Sequence, residues 1–267
     1  MERIFTNDKS IVIMKNKEKY KFDDFTLENY RRLIGIAIKK SFNFISYTDE
    51  YIDDRKDILW RHDVEFEPDI ALKMAEIEHD LGVKSTYFFQ IHSQYYNIFD
   101  GHYTSVLNKI KELRHFIGLH FDSHYYKIND EKQLNEYIYL DRNYFEKVIK
   151  IDIDTFSFHN TTPFTQSCLE YKYGGLINVY SSHFKEKYNY CGDSLGYWRF
   201  DRLEDVLNNQ NIKHLQVLTH DANWSDEILS PRKRLHKVFF AQAQRLFDEQ
   251  VNGLHSRGML CPDDNED

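Results

Sequence analysis

Ile58-Leu59-Trp60-Arg61-His62-Asp63-Val64-Glu65 decides how the rest of the chain is read. An apolar run passes into Asp-x-Glu, and Pro68 and a helical pattern from about Asp69 follow. A strand that ends in two acids before a turn and a helix sets carboxylates on the rim of a sheet. The carboxyl ends of strands are where α/β enzymes keep their chemistry. One carboxylate can hold a metal while its neighbour acts as base, because environment separates the pKa values of nearby acids. The competing structural reading makes Asp63 a cap for the next helix and pairs Arg61 with Glu65. Matching chemistry at later strand ends favours the first reading.

The sequence has 267 residues, enough for a substantial core. With 19 Tyr and 20 Phe and few Gly and Pro, it has the composition of an ordered globular protein. A formal net charge of -8 and the lack of a basic stripe argue against nucleic acid as the main partner. Cys168, Cys191 and Cys261 are scattered and odd in number, which fits a reducing compartment rather than a disulfide framework. No apolar signal core opens the chain, and no window is long and apolar enough for an integral membrane segment. A cytoplasmic protein is expected, its oligomeric state left open.

Thr26 is placed to cap an amphipathic helix over 26–40, and 42–46 is a short strand candidate. Strands are expected at about 57–63, 84–90, 116–121, 151–158, 176–181 and 213–219. Helices are expected at 69–81 with Gly82 as its stop, 103–114, 131–149, 162–171, 202–208 and 231–254, and an aromatic loop runs through 198. This alternation means βαβ units and a parallel sheet. With about six or seven units, a closed or nearly closed, distorted seven-stranded β/α barrel is expected. Residues 1–54 form an N-terminal extension with a helix and an apolar patch at Ile11–Met14. Residues 55–255 form the barrel, and 256–267 a flexible tail.

Five segments carry polar groups at strand ends or in the following loops. The first holds Asp63 and Glu65. The second is His115-Phe-Ile-Gly-Leu-His120-Phe-Asp-Ser-His124. Side chains alternate along a strand, so His120 reaches the strand end while His124 arrives from the turn beyond. Two imidazoles and a carboxylate with positions left for water make the pattern of a catalytic metal site, although HxxxH spacing also arises by chance among 13 histidines. The third is Phe156-Ser157-Phe158-His159-Asn160-Thr161-Thr162-Pro163, where His159 could orient a base or a water. The fourth, Cys191-Gly-Asp193-Ser-Leu-Gly-Tyr197-Trp198, is a turn with an acid and aromatics, open also to a purely structural reading as an Asx turn over a packed Trp. The fifth, Leu215-Gln-Val-Leu-Thr219-His220-Asp221, ends an apolar strand in a candidate general acid.

Taken in order, these segments resemble the NodB-homology polysaccharide deacetylases, carbohydrate esterase family four, over residues 55–225. RHDVE is similar to the RHDVD variant of that family's first motif, and HFIGLHFDSH to its GHEIGxHxxxH second motif. FSFHNTTP stands in the place of the third, DSLGYW resembles the fourth and LTH the fifth. The resemblance implies a distorted β/α barrel holding one divalent metal, most often zinc. Residue by residue, it implies His120 and His124 as metal ligands together with Glu65, or Asp63 if Glu65 does not ligate. It implies Asp63 as base and His220 as general acid; His159 stands in the region where the family has Arg and Pro around the base, which leaves the tuning of the base open. Arg61, Asp193, Tyr197 and Trp198 are expected to bind substrate, the last two by stacking on a sugar face. The implied activity is removal of an N-acetyl group from an amino sugar. In the cytoplasm, the substrate would be a nucleotide- or lipid-linked sugar precursor in surface-polysaccharide metabolism. A hydrolase of another non-peptide C–N bond on the same barrel, and an inactive barrel that binds sugar or a partner, are the alternatives.

Overall fold

A computed structural model describes residues 21–198 and 200–259, so the Ile11–Met14 patch, Cys261 and most of the expected tail lie outside the described residues. Thr26 caps the first helix, α1 (Leu27–Lys39), by accepting the Asn29 N–H at 3.1 Å, and Tyr30, Leu33, Ile34 and Ala37 bury its apolar face. β1 (Asn43–Phe44) lies parallel to β2 (Asp57–Val64), a strand buried along its whole length. A strand covered on both faces cannot show simple apolar–polar alternation, which explains Trp, Arg, His and Asp in one run. Glu67 caps α2 (Pro68–Asp80), with Pro68 in the first turn where its missing N–H costs nothing. Gly82, at φ 72°, turns the chain toward β3 (Thr86–Phe89).

α3 (Gly101–Glu112), β4 (Phe116–Phe121) and α4 (Glu131–Tyr144) follow, the last continued by a π-helical turn over Phe145–Ile149. Next come β5 (Thr155–Phe158), α5 (Pro163–Ser167) under a Thr162 capping box, and the short antiparallel pair β6 (Lys172–Tyr173) and β7 (Leu176–Asn178). The stretch expected as an aromatic loop holds α6 (Ser182–Lys187), β8 (Asn189–Ser194) and β9 (Tyr197–Trp198). α7 (Leu203–Asn208), β10 (His214–His220), a single turn over Asp221–Asn223 and α8 (Pro231–Ser256) complete the fold. Among the described residues no helix is long and apolar enough to cross a membrane.

The sheet is mostly parallel, as the alternation predicts. Seven strands run in the order β7-β5-β4-β3-β2-β10-β8, with antiparallel β6 and β9 at the two edges and β1 beside the start of β2. The sheet curls. Tyr180, just after β7, and Tyr190 on β8 come from opposite edges and line the same cavity. The inner face carries Leu59, Phe88, Ile177 and Val179, and helices cover the outer face over two further apolar clusters. Gly118 on β4 leaves room for this inner layer. A Cβ there would stand 2.5 Å from the Phe88 ring and 2.8 Å from Thr155 Oγ1.

Candidate active site

Register puts the chemistry of four strands at one end of the sheet. His220 stands beside Asp63 across the β10–β2 ladder, and Asp63 beside Phe88 across β2–β3. His120 lies directly opposite Ser157 across β4–β5. Along β2 the odd-numbered residues face inward, so Arg61 and Asp63 point into the curl and Glu65 follows one step past the strand end. His159 takes the same place after β5, two residues beyond inward-facing Ser157.

Three of these groups meet. Glu65 Oε1 lies 2.8 Å from His159 Nδ1 and 3.2 Å from His120 Nε2, and the two ring nitrogens are 3.2 Å apart. They form a three-residue set able to hold a metal ion. Donor atoms around a tetrahedral zinc ion at ~2.0–2.1 Å stand about 3.3 Å apart, so these edges suit one ion. Two lone-pair nitrogens and a carboxylate oxygen brought this close need a shared proton or a cation between them. Burial raises the Glu65 carboxyl, but the bonds to His120 and His159 and the charge of His220 hold it well below the usual carboxylate range. Burial lowers the His159 imidazole, but Glu65 outweighs this and raises it.

The outer bonds fix which nitrogen faces the cluster. His120 Nδ1 donates to Ser157 Oγ at 2.7 Å, and that hydroxyl donates to Asp63 Oδ1 at 3.1 Å. His120 Nε2 is then the bare nitrogen, available to a cation. On His159 the Asn160 Nδ2 group donates to Nε2 at 2.8 Å, so the proton of the neutral ring sits on Nδ1, turned to Glu65 Oε1, and a cation bound at Nδ1 would displace it. The donor set therefore fits one divalent cation in the kind of its atoms and in their separation, with the His159 Nδ1 proton leaving as the ion binds.

Across the cavity, His220 Nδ1 bonds Asp193 Oδ1 at 2.5 Å, while Asp193 Oδ2 accepts the His220 N–H at 3.1 Å and Trp224 Nε1–H at 3.2 Å. Burial disfavours charge on the ring, but Asp193, with Glu65 and Asp63 nearby, lifts its pKa to about 10. Asp193 thus favours the protonated ring. Glu65, His120, His159, Asp63, Asp193 and His220 all line one cavity of ≈ 850 Å³, whose walls include Tyr180, Tyr188 and Tyr190.

Other expected residues stand elsewhere. His124 is not brought to the cluster: its Nε2 donates to the Asn160 carbonyl at 2.7 Å on the exposed surface. Asp122 causes this, since its Oδ1 accepts the His124 and Tyr125 N–H groups and curls the chain away as the strand ends. His159, expected to orient the base or a water, occupies the third place of the cluster. Arg61 is fully buried and absent from the cavity wall; it donates to Tyr180 Oη at 2.9 Å and lies 3.7 Å from Asp63. Trp198 and Tyr197 also turn from the cavity. Trp198 packs on Phe25 and Trp224, and Tyr197 against the same cluster. Sequence reasoning missed Ser157 and Gln90. The Phe156-Ser-Phe-His alternation signalled Ser157, and a polar residue ending Thr-Tyr-Phe-Phe signalled Gln90. The Gln90 carboxamide is buried 3.0 Å from His159 Nδ1.

No protein-family model matches this chain, and no curated protein matches it in sequence. Among solved structures it is similar to a family 4 carbohydrate esterase from Bacillus anthracis, at 15% identity and a TM-score of 0.43, covering 85% of this chain and 86% of that one. It is also similar to a mutant of a CE4-family pseudoenzyme with restored enzymatic activity, at 10% identity and a TM-score of 0.40, covering 76% and 68%. Likeness this distant carries no argument about chemistry, so function rests on the site itself.

Proposed function

We propose that this chain is a metal-dependent hydrolase that removes an N-acyl group, such as acetyl, from an amino sugar or sugar precursor in surface-polysaccharide metabolism. The observation that carries this reading is the convergence of Glu65, His120 and His159 in one cavity with His220, whose ring is held at Nδ1 by Asp193. Glu65, His120 and His159 would hold one divalent ion, most simply zinc. When bound, such an ion polarises an acyl carbonyl and acidifies water.

The protein's own groups supply the rest. Asp63, on the cavity wall and neutralised by Arg61 behind it, accepts the proton of the attacking water. His220 donates its Nε2 proton to the departing amine, and Asp193 holds the ring at Nδ1 so that Nε2 carries that proton. Tyr180, Tyr188 and Tyr190 offer flat apolar faces for a sugar ring, with hydroxyls for its oxygens. The same reading takes the curled sheet as a distorted seven-stranded barrel.

The decisive experiment measures metal content of the purified protein and amine release from a panel of N-acetylated sugars and nucleotide sugars, before and after chelation. About one equivalent of metal and chelator-sensitive amine release are expected. Protein that takes up no metal and releases no amine would overturn the reading. A second expectation concerns the bond behind His120. Ser157→Ala removes the acceptor that orients Nδ1–H, and metal affinity should drop about 10–100-fold with the fold intact. Unchanged affinity would show that Ser157 does not orient the ring.

A further inference from the structure

Glu65 lies one residue past the end of β2, where no ladder bond fixes it, yet its oxygen sits within 3.2 Å of two ring nitrogens. Something outside the sheet must hold this short segment. Asp221, the residue after His220, is buried and lies in the turn that follows β10. Its Oδ1 accepts the Glu65 N–H at 3.0 Å, and its Oδ2 accepts the Phe66 N–H at 3.0 Å and the Glu67 N–H as well. Carbonyls of the same segment are bonded from other sides. Tyr96 Oη donates to Val64 at 2.9 Å, Ser93 Oγ to Glu65 at 3.4 Å and Gln242 Nε2 to Phe66 at 2.7 Å.

We propose that Asp221 is a positioning residue for the hydrolytic site, setting the place of the Glu65 carboxylate relative to His220. This rests on the function proposed above. A buried carboxylate is costly unless its oxygens are hydrogen-bonded, and here three successive amides supply the bonds. Only an acceptor-only group with two oxygens can take all three, and a carboxamide of the same shape turns a donor toward at least one of them. Asp221 is also joined covalently to His220. One residue thus ties the end of β10, which carries the candidate acid, to the segment that carries the candidate ligand. The two groups come from strands that begin 157 positions apart in sequence, and their separation across the cavity depends on this joint.

The test compares the full-length protein with Asp221→Asn by metal competition titration, by the visible spectrum of the cobalt-substituted form and by steady-state kinetics. We expect the variant to bind metal 10–100-fold more weakly. A shifted cobalt spectrum and a loss concentrated in kcat rather than KM should accompany it. Hydrogen exchange of the unaltered protein gives a second readout that does not depend on the variant folding. The amides of 65–67 should exchange as slowly as those of β2. A folded variant with unchanged metal affinity, spectrum and kcat would overturn the proposal, as would loop-like exchange at 65–67. If the unaltered protein binds no metal, the functional reading fails instead, whatever the exchange shows.

Discussion

His120→Ala is expected to leave the protein folded but without bound metal, and to lower amine release by about 10³-fold or more, equivalent to about 4 kcal/mol of transition-state stabilisation. The substitution removes Nε2 from a triangle whose edges are 2.8 and 3.2 Å, leaving only Glu65 and His159. It also frees Ser157 Oγ from the ring and so alters the hydroxyl that donates to Asp63. The informative control is His124→Ala. HxxxH spacing alone would make the two histidines equal partners, whereas the structure ties His124 to the Asn160 carbonyl on the surface. Metal content and turnover of His124→Ala should therefore stay within about twofold of the unaltered protein, the scatter expected for a surface change. If His124→Ala loses its metal while His120→Ala keeps it, the cluster has been drawn around the wrong histidine.

That contrast marks how far the sequence could be read. Alternation within a strand is local and rigid, so Asp63 at the end of β2 with Glu65 just beyond it, and His120 at the end of β4, were legible from residue order alone. Direction after a strand end is set by turn chemistry, and Asp122 bends the chain so that His124 misses the cluster. His159 was legible as a strand-end histidine but not as a member of the triangle. Its place follows from the pairing of β4 with β5, which sequence order does not state. β8 was missed for a related reason. Asn-Tyr-Cys-Gly-Asp-Ser has little strand propensity of its own and is held by its ladder with β10. Once β8 is a strand, Asp193 arrives next to His220, and Trp198, its partner on β9, packs against Phe25 and Trp224. The place of Asp193 beside His220 and the packing of Trp198 thus both follow from the pairing of β8.

Glu78→Ala should give the largest loss of stability of any single change considered. The Glu78 carboxylate is fully buried between α2 and the sheet. Its Oε1 is bonded to His62 Nε2 at 2.8 Å and accepts from Ser85 Oγ at 2.8 Å and from Tyr30 Oη; its Oε2 accepts from Tyr87 Oη at 2.7 Å, with His115 at 3.5 Å. His62 in turn bonds Thr219 Oγ1 at 2.7 Å through Nδ1. One carboxylate therefore joins α1, α2, β2 and β3, and through His62 reaches β10. Deleting it leaves several buried donors without an acceptor, which costs about 3–5 kcal/mol, or about 10 °C in Tm for a chain of this size. Burial raises the Glu78 pKa, but His62, His115 and the Tyr30 hydroxyl more than reverse this and bring it to about 2, against an ordinary 4.5. For a depressed carboxyl the stabilisation is complete above the ordinary value and fades as pH falls through the native one. The Tm gap between the unaltered protein and Glu78→Gln, which keeps the shape but cannot ionise, should thus be widest above pH 5 and shrink as pH falls from 4.5 toward 2. A gap that stays constant across that range in thermal melts would mean that the charge contributes nothing. His62 sits between Arg61 and Asp63 on β2 and bonds the residue before His220 on β10. Loosening Glu78 should therefore reach catalysis through the register of these two strands, and partial activity losses in Glu78→Gln should track its loss of stability.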